Sequence, residues 1–188
     1  MACEVEESRP LRLVERVGRR VRVKVRQEEH FRLVNVAESG HDSLIEQYLV
    51  HGPRALLLSP DEKTLYVADG DVERGDICQL FAYPITAQGS LGPVKTLLCF
   101  AAMERGIEGM CLDSEGNIVA CMGWNRSGCA ASLVVISPGG TILETHPAPA
   151  DVPMRCAFGD ADLASLYVTA GDGGLYRAKG IGRRGLKR

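Results

Sequence analysis

The chain has 188 residues, 45% of them hydrophobic and 24% charged, with a formal net charge of −2. That balance is globular and long enough for one core, and no window of 18 uninterrupted apolar residues exists to form a membrane-spanning helix. The acidic start "MACEVEESRP" lacks the apolar segment of a secretory signal. Aromatic residues are scarce at 5% while glycines number 21, a composition that favours a turn-rich β protein over a helix bundle. Seven cysteines, an odd number with no Cys-x-x-Cys pair, sit mostly in apolar runs. They read as reduced, buried thiols of a cytoplasmic protein.

Residues 1–50 form a divergent segment. Eight basic residues lie between Arg9 and Arg26 against one acid, Glu15. "VRVKVR" at 21–26 alternates strictly and reads as a strand with an exposed face. "DSLIEQYLV" at 42–50 fits a helical turn or a strand equally. From residue 51 the grammar changes. "SPDEKTLYVADG" at 59–70 runs a polar turn into a short apolar strand and stops at Asp69-Gly70. The same unit returns as "MCLDSEGNIVACMG" at 110–123 and "CAFGDADLASLYVTAGDGGLYR" at 156–177. The strands Tyr66-Val67, Ile118-Val119 and Tyr167-Val168 are therefore spaced at about 50 residues, the period of propeller and solenoid repeats. Further strands are predicted at Ile77–Tyr83, Leu133–Ile136 and Thr141–Thr145, bounded by Gly and Pro. Short strands with frequent turns, repeated in sets over 51–178, predict an all-β partial propeller of about three blades. A β-sandwich uses the same units but does not require its strands to resemble one another. Residues 179–188 form a basic tail.

"LLLSPDEKTLYVADGD", "FAYPITAQGSLGPVKTLLCF", "GIEGMCLDSEGNIVA", "SPGGTILETHPAPADVP" and "CAFGDADLASLYVTAGDGGLYR" carry a further likeness. In order and spacing they resemble the C-terminal half of the gluconolactonase, senescence marker protein and luciferin-regenerating enzyme family. The resemblance implies a six-bladed propeller, one divalent cation (Ca²⁺ or Zn²⁺) in its central channel, and hydrolysis of sugar lactones or related esters. It also implies a ligand set: a Glu from the first blade, an Asn in a Pro-Asn-Gly turn and an Asp in an Asp-Gly-Met turn. Here Pro53-Arg54-Ala55 puts an arginine where the Asn is expected, and Glu108-Gly109-Met110 puts a Glu in place of the Asp. No counterpart of the first Glu precedes residue 50. Glu108 is thus the one metal candidate and, as a general base, the catalytic candidate. Ca²⁺ seeks six to eight oxygens, and a guanidinium has donors only. A bidentate Arg54–Glu108 ion pair in the cation's place is the rival arrangement. Arg54, Trp124, Asn125 and Arg155 are the candidates for the substrate channel.

Other chemistry finds little support. The four histidines are scattered, and no nucleophile elbow, Walker loop or dinucleotide fingerprint occurs. Asp69, Asp71 and Asp76 cluster on a turn and read as turn caps, with a weak surface calcium site as the alternative. The basic segments at 9–26 and 179–188 lack interleaved aromatics, so base stacking on nucleic acid is not expected and a solvated basic edge is. A six-bladed ring needs about 240–300 residues. Three outcomes stay open: a non-homologous cap, self-association of two chains to cover open sheet edges, or an incomplete gene product. Two functions also stay open: a lactonase-type hydrolase, and a non-catalytic propeller remnant or binding module.

Overall fold

The polar turn repeated in the sequence closes a hairpin at each of its three positions. In the first, Ser59 Oγ donates to Asp61 and accepts from the Thr64 N–H, while Glu62 takes a left-handed φ of 56°. In the second, Asp113 Oδ1 accepts from the N–H groups of Glu115 and Asn117, with Gly116 at φ 81°. In the third, the Leu163 N–H donates to the Asp160 carbonyl and Ser165 Oγ to its carboxylate. A short side chain that accepts backbone donors holds each chain reversal. The structure is a computed structural model that describes residues 16–17, 20–21, 31–35, 44–48, 52–126 and 130–187.

The chain separates into two units, Met1–Leu49 and Val50–Arg188. In the first, β1 (Arg16–Val17) pairs antiparallel with β2 (Arg20–Val21), and β3 (Phe31–Asn35) with β4 (Leu44–Tyr48). The ambiguous stretch at 42–50 is thus a strand at its centre. Most of the strand expected at 21–26 lies outside the described residues.

The second unit holds three antiparallel meanders. Blade one runs β5 (Ala55–Leu58), β6 (Thr64–Asp69), β7 (Gln79–Pro84) and β8 (Lys95–Cys99). Blade two runs β9 (Ile107–Leu112), β10 (Ile118–Met122), β11 (Ser132–Ile136) and β12 (Ile142–Pro147). Blade three has β13 (Pro153–Gly159), β14 (Ser165–Ala170) and β15 (Leu175–Lys179). The first strands lie side by side, β5 against β9 and β9 against β13. Sheets stacked on one another by their first strands make a partial β-propeller, not a sandwich.

Blade two explains the apolar runs that alternation alone does not. Ile118, Ala120, Met122, Val134 and Ile136 pack toward blade one, against Tyr66, Ala68, Leu80 and Ala82. Val119, Cys121, Leu133 and Val135 pack toward blade three, against Leu166 and Val168. Both faces are buried, so β10 and β11 carry no polar face. Blade three differs: Cys156, Phe158, Tyr176 and Ala178 face blade two, while Arg155, Thr169, Arg177 and Lys179 on the other face are exposed. That period of two is the mark of a half-buried sheet.

The basic tail is not a solvated end. Residues 180–187 cross from blade three back to blade two, where the Ser114 N–H donates to the Arg184 carbonyl and Gly185 bridges Asp113. Leu186 joins a small cavity of about 240 Å³ with Leu57, Leu112 and Phe158, near the ends of the three first strands. Asp113, only 1% exposed, explains the docking, because Arg183 pairs with it and also with Glu144 at 2.5 Å.

The thiol expectation holds at Cys78, Cys111, Cys121 and Cys156, which are free. Cys99 departs from it and is disulfide-bonded. It ends β8, the outer strand of blade one, so it lies at a sheet edge and not between sheets. Among the described residues no helix is long and apolar enough to cross a membrane.

Candidate functional site: an arginine-clamped carboxylate

The first strands start at a common end, and their opening residues converge there. Arg54 immediately precedes β5, Glu108 is the second residue of β9, and Arg155 the third of β13. The approach of β9 to β13 requires Gly109, since a Cβ there would lie 2.3 Å from the Met154 carbonyl oxygen and 2.8 Å from Arg155 Cα. Arg155 spans the junction by donating to the Glu108 carbonyl and, at 2.8 Å, to the Met154 carbonyl.

Glu108 is buried, its side chain 7% exposed. Its Oε1 lies 2.8 Å from Arg105 Nη2, and its Oε2 lies 3.8 Å from Arg54 Nη1. Arg54 and Glu108 therefore face each other as the ion-pair alternative requires, but not in bidentate fashion; the close partner is Arg105. Arg54 makes its shorter bond to Asp71 Oδ1 at 2.9 Å. Asp71 also caps the 3₁₀ turn Val72–Arg74 by accepting from the Glu73 N–H, the capping role expected of that acidic turn. Arg105, 11% exposed, has Glu73 3.9 Å away and stacks over the Trp124 ring at 5.1 Å. The Gly123 N–H donates to the Arg105 carbonyl, which sets the Trp124 loop beside Arg105. Arg126 covers the same ring at 5.9 Å.

The structure thus gathers Arg54, Glu108 and Arg155 directly and brings Trp124 in through Arg105. Asn125 is anchored elsewhere, by its backbone N–H to Asp151 on the loop before β13. Arg105, Asp71 and Glu73 are the residues that sequence reasoning missed as site members. The signal available was the Arg105–Glu108 spacing of three, an opposite-charge pair at the start of a strand.

The donor set does not fit a divalent cation. Each Glu108 oxygen faces a guanidinium, and among the described residues no group of three or more His, Cys, Asp or Glu is arranged to hold a metal. A divalent ion set about 4 Å from one guanidinium is repelled by about 8 kcal/mol at an effective dielectric near 20. Two guanidinia flank this carboxylate. Three buried side-chain nitrogens among the described residues lack a hydrogen-bond partner, and two of them, Arg105 Nε and Trp124 Nε1, belong to this cluster.

The three-bladed propeller array matches known proteins. The family model for the SMP-30/gluconolactonase/LRE-like region matches residues 23–172, and the chain belongs to that family. The match reaches back into the segment expected to be divergent. A 6-deoxy-6-sulfogluconolactonase of Pseudomonas putida is 30% identical over 116 residues, 61% of this chain and 36% of that protein. A luciferin-regenerating enzyme superposes with a TM-score of 0.60 at 21% identity, over 77% of this chain and 50% of the other. Regucalcin of Agrobacterium tumefaciens, described as a calcium-binding protein, gives 0.60 at 20% identity over 78% and 51%. These structural likenesses establish the fold. The chain spans between about a third and a half of the length of these relatives.

Proposed function

We propose that this gluconolactonase-like chain binds a sugar lactone or related ester at the Arg54–Arg105–Glu108 end of its blades, as a binding module without metal-assisted hydrolysis. The observation that carries the reading is the flanking of Glu108 by two guanidinia, Arg105 at 2.8 Å and Arg54 at 3.8 Å, whose positive charge disfavours a cation at that carboxylate. Family membership supports the ligand class. The two unpartnered donors, Arg105 Nε and Trp124 Nε1, support a ligand rich in oxygen acceptors, because buried N–H groups left without partners are costly. A lactone ring presents a carbonyl and several hydroxyls on a small frame, acceptors that match these donors.

Trp124 is the single tryptophan of the chain, so its emission reports this site alone. Titration with glucono-1,5-lactone is expected to change that emission saturably, while the lactone is consumed no faster than in buffer with either calcium or a chelator present. Unaltered emission together with no heat of binding would refute the ligand class. Calcium-stimulated consumption of the lactone would instead restore the hydrolase, with Glu108 as its metal ligand or general base.

A further inference from the structure

We infer that Arg105 and Arg54 act as an internal replacement for the family's cation, so that Glu108 is permanently paired with guanidinia and a cation gains access to it only once they are removed. The inference deepens the functional proposal and rests on its placement of the site at Glu108. The cation implied by the resemblance would tie the loops at one end of successive blades to a common centre. Here the same cross-links are made by side chains. Arg54, from the entry to blade one, reaches Glu108 of blade two and Asp71 of its own blade. Arg105, from the entry to blade two, reaches Glu108 and, across the blade boundary, Glu73 of blade one. Glu108 is the hub, and the blades are joined through it by positive charge that belongs to the chain.

Two arginines and three acids, Glu108, Asp71 and Glu73, form this network. The acids are held by guanidinia at 2.9 Å for Asp71 and 2.8 Å for Glu108, distances of charge-assisted hydrogen bonds. Arg105 is further fixed by its stack on Trp124 and by the bond from the Gly123 N–H to its carbonyl. A cation can enter only by displacing guanidinia that are tethered and preorganised. Removing the arginines leaves Glu108 unpaired at a buried position, and an unpaired buried carboxylate seeks a cation. Arg54→Asn also restores, at that position, the oxygen donor expected from the resemblance.

Thermal melting of the full chain with excess calcium and with a chelator reads the inference without reference to lactone. The wild-type chain is expected to melt at the same temperature in both. The variant Arg54→Asn/Arg105→Gln is expected to melt lower in chelator and to recover part of the loss on adding calcium, with terbium luminescence excited through Trp124 reporting the bound ion. If the double variant does not fold, Arg54→Asn alone serves, since Arg54 is 32% exposed and Arg105 stays in place. Saturable stabilisation of the wild-type chain by calcium overturns the inference. So does a folded arginine variant that neither loses stability nor gains a response to calcium. Lactone titration of the wild-type chain is a separate readout, so loss of the ligand proposal and loss of the cation replacement are distinguishable.

Discussion

Arg105 holds the shorter of the two contacts to Glu108, so its truncation leaves a buried carboxylate with only a guanidinium 3.8 Å away. Breaking one partner of a buried ion pair costs about 3 kcal/mol. Arg105→Ala is expected to lose about that much in denaturant unfolding, and Arg105→Lys to recover only part of it because an ammonium lacks the planar fork. A second residue sets an acid limit. Arg183, and after it His146, hydrogen-bond Glu144 and hold its carboxyl down to about 2 from an ordinary 4.5. A carboxyl lowered in the folded state stabilises the fold above its ordinary value and loses that contribution as pH falls through the folded one. Melting temperature is therefore expected to decline between about 4.5 and about 2 in the wild-type chain and to decline less in Arg183→Ala. Equal slopes would show that Glu144 is not held by Arg183. At Cys111 the hydrogen bond with Cys156, and then burial, push the thiol far up. The Cys111 and Cys156 sulfurs lie 3.6 Å apart, and both are expected to react slowly with alkylating reagents at neutral pH.

At the level of strands and turns, much was legible beforehand. The three look-alike turns are hairpin closures because each carries Ser or Asp where the reversed backbone offers donors, a local cause that sequence records directly. The strand predicted at Ile77 begins at Gln79 instead, since Asp76, Ile77 and Cys78 leave the 3₁₀ turn that Asp71 caps. Pattern reading did not foresee that blade two is buried on both faces, because its apolar runs follow from neighbours in the two flanking blades, far away along the chain. Two substitutions separate these causes. Ile118→Ala empties a fully buried site between blades one and two, and about 3–4 kcal/mol of destabilisation is expected. Gly109→Ala adds one methyl against rigid backbone at Met154, so about 1–3 kcal/mol is expected from overpacking, with altered Trp124 emission as the sign that the mouth has shifted. A Gly109→Ala chain as stable as wild type would mean that β9 and β13 do not approach so closely.

Across the whole second unit, long-range charge decided what sequence left open. Arg54 and Glu108 were recognisable as departures from a ligand pattern, yet Arg105 was not, because nothing in a linear pattern says which of several arginines turns inward. The tail gives the same lesson. "GIGRRGLKR" reads as a solvated basic end, but Arg183 finds the buried Asp113 and Leu186 finds the ends of the three first strands. The outward face of blade three mixes charge with apolar surface, with Arg155, Thr169, Arg177 and Lys179 exposed beside Leu175 at 70% exposure.

A double-mutant cycle on Arg105→Ala and Glu108→Ala isolates the contact proposed to take a cation's place. A coupling of about 2 kcal/mol, unchanged by calcium or chelator, is expected if the two side chains form the pair described. Additive losses, or a coupling that appears only when calcium is removed, would contradict it.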